Sequence, residues 1–272
     1  MPKLIFATCF DATFQPGGLA LIKSIRKFYS KDEAEIIVFT EERPCGDAFI
    51  KLCGQLGVEA KQMNLIPSRE MMLKAKAWVT KYAMSKCAFD DMVVHIDADA
   101  FLLAKIDAVL DKMQPDSVMA WPDLGTPGLL DYRLMFGQDI SPEQDRLFHF
   151  NAGVVCYNVG DASWKVINDF NAAVNDPYIW ACLRNDQFIL RNCVARSAWA
   201  SFIMHPDAQH FNPIGKCADD LKLDNQNRWI NVRSGAQQFI WHGCGSGLPW
   251  LPKERGGCEE PSIKEAFKWV QE

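Results

Sequence analysis

The 272-residue sequence has no C-x-x-C pair among its ten cysteines, which excludes the usual zinc-ribbon and thioredoxin-type arrangements. No apolar run comes near the ~18–20 uninterrupted residues that a membrane span requires. There is no basic block either: 29 Lys and Arg against 34 Asp and Glu give a formal charge of −5, so a nucleic-acid footprint is missing. The opening residues Met1 to Ala7 lack the long apolar stretch and small-residue cleavage site of a secretory signal. Neither an internal repeat nor a low-complexity tract occurs. Together these absences set the expectation of a cytoplasmic chain with no integral membrane segment and no nucleic-acid partner. Its cysteines, several inside apolar segments (Cys9, Cys87, Cys156, Cys182), are expected to be reduced core residues.

What is present is enough apolar residue, 49%, to build a sizeable core, and a length suited to one large domain. The first ~115 residues alternate strand-like and helix-like segments, the pattern of an α/β sandwich. Strands are expected at 3–9, 35–40, 58–63 and 92–96, with helices at 18–29, 47–56 and 69–87. After Pro115 the pattern is less regular. Strands are expected at 118–121 and 150–157, helices at 162–173, 186–191 and 261–272, a loop at 123–128, and an apolar segment at 239–241. No linker divides the chain, so residues 1–272 are expected to form a single domain, with 1–115 as one half and 116–272 as the other. Trp78, Trp121, Trp164, Trp180 and Trp199 are expected as core or subunit-contact aromatics, which leaves a homodimer open.

Two constellations carry chemistry. Asp97 and Asp99 follow the apolar strand ending at Ile96 and are separated by one small residue, Ala98. In extended backbone both carboxylates project to one side, and a hard divalent cation with a bound phosphate relieves their repulsion. An ordinary strand-to-turn boundary is the competing reading. The second is His242, which follows Phe239-Ile240-Trp241 and opens a segment with glycines at 243, 245 and 247, ending in Pro249-Trp250. Glycines let backbone amides approach phosphate, and a neutral imidazole completes a Mn²⁺ shell. His95, inside a strand, is expected to be a satisfied sheet histidine.

The segments Lys74-Ala75-Lys76-Ala77-Trp78 through Tyr82, Ser85-Lys86-Cys87, His95-Ile96-Asp97-Ala98-Asp99, Asn151-Ala152-Gly153, Asn185-Asp186-Gln187 and His242-x-x-Gly245 through Pro249-Trp250 occur in a fixed order along nearly the whole chain. In that order they resemble the glycogenin-like family 8 glycosyltransferases. The resemblance implies a GT-A fold, a Rossmann-like α/β sandwich with a mixed central sheet, and metal-dependent transfer of a hexose with retention of configuration. The donor would be a nucleotide sugar, UDP-glucose or UDP-galactose, and the acceptor a hydroxyl of a glycan or other molecule. It further implies Mn²⁺ (or Mg²⁺) on Asp97, Asp99 and His242, with Lys74 and Gly245 at the donor. Asp123 would hold sugar hydroxyls, and Asn151 with the backbone of Ala152 and Gly153 would line the sugar pocket. Asp186 and Gln187 would stand beside the anomeric carbon, and Ala7, Thr8 and Phe10 at the nucleotide base.

The chain departs from the family pattern at Leu248, where the family has a lysine that helps neutralise the diphosphate, and at Phe10 and Thr13 near the base. Nothing points to self-glucosylation of a tyrosine. Two alternatives follow. One is a catalytically weak or inactive binder of nucleotide sugars or glycans on the same fold. The other is a haloacid dehalogenase-type phosphatase with a nucleophilic first aspartate, whose later motifs are missing here. Acceptor selection is expected from residues 125–146 and 195–235.

Overall fold

The computed structural model describes residues 2–63, 69–123, 147–179, 185–206, 220–243, 247–258 and 260–272. Gly245, the expected acceptor stretch 125–146 and residues 207–219 of the expected stretch 195–235 lie outside the described residues. The chain opens as β1 (Leu4–Phe10), α1 (Gln15–Phe28), β2 (Glu35–Glu41), α2 (Glu42–Gln55), β3 (Val58–Met63), α3 (Arg69–Met84) and β4 (Met92–Ile96). It continues through β5 (Ala100–Leu102), α4 (Asp107–Leu110), β6 (Val118–Pro122), β7 (Phe150–Asn158), α5 (Asp161–Asn175), α6 (Asp186–Ser197) and β8 (Phe202–Met204). The described residues end with β9 (Leu221–Leu223), β10 (Trp229–Asn231), β11 (Ile240–His242) and α7 (Pro261–Gln271).

The central sheet has strand order β3-β2-β1-β4-β7-β6-β8. β1 to β4 pair in parallel, β7 runs antiparallel to both β4 and β6, and β8 lies parallel to β6. The inner strands read as unbroken apolar runs because both faces are covered. On one face Phe6, Val38 and Val94 pack under Leu21 and Ile25 of α1. On the other, Ile5, Ile37 and Val155 meet Val79 of α3, Ile167 of α5 and Ile189 of α6. A third cluster seats Ile263 and Val270 of α7 on Phe101 and Trp241. Strands from both halves of the chain share the one sheet.

The order reverses direction at β1: the chain winds outward to β3, then returns to place β4 on the other side of β1. Such a reversal leaves a crevice at the carboxyl ends of the two strands, the usual ligand position of open α/β sheets. Asp97 and Asp99 follow β4 directly into it. Two glycines let α1 sit against this corner. A Cβ on Gly17 would lie 2.2 Å from the Ala98 carbonyl oxygen, and one on Gly18 would lie 2.2 Å from the Phe10 ring.

The expected strands at 58–63 and 92–96 coincide with β3 and β4, and most other elements differ only at their ends. The short β5 was not expected. It pairs antiparallel with β11, setting His242 opposite Ala100 and Trp241 opposite Phe101, whose rings stack at 4.9 Å. This pairing carries His242 from the far end of the chain to the Asp97–Asp99 turn. Among the described residues no helix is long and apolar enough to cross a membrane.

Glu41 closes β2 with a buried carboxyl whose Oε1 has no hydrogen-bond partner among the described residues. Burial, with the Asp11 charge adding to it, raises its pKa above the ordinary 4.5. A carboxyl that holds its proton more tightly in the folded state costs stability as pH rises past the unfolded value. Glu41→Gln is therefore expected to raise the melting temperature at pH 7, with the gain fading well below 4.5, as followed by circular dichroism; a gain that does not change with pH contradicts this.

Candidate active site

β4 ends at Ile96, and the next three residues form a tight turn closed by Ala100 N–H donating to the Asp97 carbonyl at 3.1 Å. The turn is tied to β7 by Asp97 N–H donating to the Gly153 carbonyl at 2.8 Å, and to β11 by Gly243 N–H donating to the Asp99 carbonyl at 2.7 Å. These anchors bring one ligand atom each from Asp97, Asp99 and His242 to within 4.8 Å of one another. His242 Nε2 lies 3.3 Å from Asp99 Oδ1, and the imidazole is buried. Burial is the largest influence on the His242 pKa and lowers it, but the Asp99 and Asp97 carboxylates together outweigh it and the net direction is upward. Gly153 makes room for this ring: a Cβ there would lie 2.2 Å from His242 Cε1. Two carboxylates and one imidazole in such a cluster suit a divalent cation that accepts oxygen and nitrogen ligands.

Sequence reading missed the cation already present. Lys76, on the buried face of α3, places its ammonium 2.9 Å from Asp97 Oδ1, 2.8 Å from Asp186 Oδ2 and 2.8 Å from the Ala152 carbonyl. Burial opposes the charge, yet attraction to Asp186 and Asp97 outweighs it and the Lys76 pKa is raised. The same ion pair, together with His95, takes Asp97 below the usual carboxylate range although burial pushes the other way. The one available signal was position, since Lys76 shares the stripe of Val79, Thr80 and Ala83, all buried. A lysine there needs buried anionic partners.

His95 is a satisfied sheet histidine, as expected, but it is not idle. Its ring nitrogens face Thr80 Oγ1 at 3.3 Å and Asp97 Oδ1 at 2.9 Å, so it orients the carboxylate. Burial lowers its pKa.

The Asn151-Ala152-Gly153 segment frames the site from β7. Asn151 Oδ1 accepts from Gly153 N–H at 2.7 Å, and Ala152 N–H donates to Gln187 Oε1 at 2.9 Å. Gln187 in turn donates from Nε2 to Asp123 Oδ2 at 2.7 Å. The same oxygen receives Arg191 Nη2 at 2.8 Å, and Arg191 Nε donates to the Phe150 carbonyl at 2.6 Å. Arg191 is wholly buried, and the sequence reading gave it no role. Asn185 caps α6, its Oδ1 accepting from Gln187 N–H, so that one helix presents Asp186 to Lys76 and both Gln187 and Arg191 to Asp123.

Other expected residues are placed as follows. Lys74 is half-buried on α3, two residues before Lys76. Ala98 is buried under α1. Ala7, Thr8 and Phe10 reach the carboxyl end of β1, at the crevice, but their side chains are buried. The Phe10 ring, expected at a base, instead packs edge-on against Phe49 at 5.7 Å. Strand alternation explains the difference: Phe10 shares the Phe6 face, which α1 covers. Leu248 lies beside Gly243, where its Cδ2 would be 3.3 Å from a Cβ. Trp250 clasps α1, donating to the Thr13 carbonyl at 3.3 Å and meeting Phe14 edge-on.

No protein-family model matches the chain, and no curated protein does. Solved structures do match. The galactosyltransferase LgtC, in complex with donor and acceptor sugar analogs, is 16% identical with a TM-score of 0.60, over 99% of this chain and 95% of that one. The bifunctional glycosyltransferase WbbM is 15% identical with a TM-score of 0.57. The glycosyltransferase GlyE of Streptococcus pneumoniae is 14% identical with a TM-score of 0.59. This chain spans 51% of WbbM and 61% of GlyE. The fold is thus the mixed α/β GT-A fold of glycosyltransferases.

Replacing Arg191 by Leu takes the buried cation away from the Asp123 carboxylate and leaves it the neutral Gln187 amide. Chemical denaturation should show a loss of ~3–5 kcal/mol, the usual cost of removing one partner of a buried ion pair. A loss below ~1 kcal/mol, as an exposed pair gives, contradicts the pairing.

Proposed function

We propose that the chain is a metal-dependent retaining glycosyltransferase that moves a hexose from a nucleotide sugar, with UDP-glucose or UDP-galactose as the expected donors, to a hydroxyl of a glycan or other acceptor. The observation that carries this reading is the convergence of Asp97, Asp99 and His242 at the β1/β4 reversal, with Asp186 joined to them through Lys76.

Asp97, Asp99 and His242 would hold a divalent cation, Mn²⁺ or Mg²⁺, which when bound supplies Lewis-acid stabilisation of the departing diphosphate. The chain's own residues do the rest. The β4 turn and β11 present the three ligands from a rigid frame, which limits reorganisation as charge develops. Asp186 and Gln187, at the start of α6, would flank the reacting carbon. Gln187 is non-nucleophilic and is held at both ends of its amide by Asp123 and Ala152. One Asp186 oxygen is engaged by the Lys76 ammonium, which weakens it as a nucleophile and suits it to electrostatic support of a cationic sugar. Both points favour attack from the leaving-group face, the departing phosphate oxygen taking the acceptor proton, over a covalent intermediate. Asp123, fixed by Arg191 and Gln187, would receive sugar hydroxyls.

Leu248 favours a second reading. An apolar side chain beside Gly243 puts no charge where a diphosphate would need one, as in a protein that binds the donor without turning it over.

One assay separates the two. Purified chain is incubated with UDP-, GDP- and dTDP-sugars and Mn²⁺, and nucleotide release is followed. Release from one donor, abolished by chelator and reduced ~10²–10³-fold in Asp97→Asn and Asp99→Asn, is the expected result. Near-wild-type release in either variant contradicts the metal assignment, and calorimetric donor binding without release supports the second reading.

A further inference from the structure

Lys76 stands where the geometry of the site is decided. Its ammonium bridges a carboxylate of the β4 turn and a carboxylate of α6, and its third contact, the Ala152 carbonyl, belongs to the β7 segment that also holds Gln187. The side chain is only 4% exposed, so water contributes little to screening these contacts. Asp97 and Asp186 come from opposite halves of the chain, and the ammonium is the group that joins them. Without a cation between them, two carboxylates in this crevice would repel each other and turn away.

We propose that Lys76 is a positioning residue that acts as a resident cation of the site: it holds Asp97 and Asp186 in place before any metal arrives, and it sets how tightly a divalent cation binds at Asp97. The metal arm of this inference rests on the divalent site of the proposed function. Because the ammonium shares Asp97 with that site, it repels an incoming cation while keeping the carboxylate aimed. Binding is thereby loosened and the frame is fixed.

The test uses the full chain with Mn²⁺ alone and no sugar donor, so a chain that turned over no donor would still answer it. Lys76→Met keeps the length of the stem and removes the charge. Its melting temperature should fall in metal-free buffer, and saturating Mn²⁺ should raise it by at least twice the rise seen in the unaltered chain, because the metal replaces the missing charge. Calorimetry should show Mn²⁺ bound about tenfold more tightly by Lys76→Met, and Lys76→Arg, which retains a cation, should stay within about threefold of the unaltered chain. A purely packing role predicts equal Mn²⁺-induced rises and an unchanged dissociation constant, and either result overturns the proposal. If Lys76→Met yields no folded protein, the pair Lys76→Met/Asp186→Asn is compared with Asp186→Asn. Tighter Mn²⁺ binding in the double variant supports the resident cation, and equal binding overturns it. Where turnover is measurable, Lys76→Met should lower kcat about tenfold or more with donor KM changed less than threefold.

Discussion

Like charges cannot be gathered in a low-dielectric crevice unless cations come with them, and the architecture around the β1/β4 reversal follows from that constraint. Asp97 and Asp186 converge on Lys76, and Asp123 is met by Arg191. The two cations enter from the buried faces of α3 and α6 rather than from solvent, so the elements that form the core also supply the counter-charges. Removing either cation would disturb packing and electrostatics together. This is the opposite of a mildly acidic surface collecting its counter-ions from water, and the overall charge of −5 gives no hint of it.

Small residues do as much as charged ones. Gly17 admits Ala98, Gly18 admits the Phe10 ring, and Gly153 admits the His242 imidazole. Each is a place where backbone or ring approaches closer than any Cβ would permit. The Asp97–Asp99 turn is thus pressed between α1 and β7 and pinned by three backbone hydrogen bonds. Leu248 packs beside Gly243, next to this turn, and brings no charge to it.

Much of this was legible in the sequence, and the parts that were not share a cause. Strands β1 to β4 and the helices between them announce themselves through local periodicity, which depends only on neighbours a few residues away. Asp97, Asp99 and His242 were singled out in the sequence, and the fold brings them together. The three-residue β5 was not: it is too short to show a period, and only its distant partner β11 defines it. Lys76 and Arg191 look like ordinary helix cations until the fold reveals that both are buried and aimed at carboxylates. Phe10 is a different case. The family resemblance sets it at the nucleotide base, and the alternation of β1 turns its ring into the core.

The pairing of β5 with β11 also says something about time. Ala100 and His242 are more than a hundred residues apart and meet side by side, so closing that loop carries a large entropic cost relative to the local βα units. The carboxylate half of the site can form with the early strands, whereas its imidazole arrives only when the late segment docks. A divalent cation that needs all three ligands would bind only where the two distant segments have met, so its binding would report on the docking of the late segment as well as on the site.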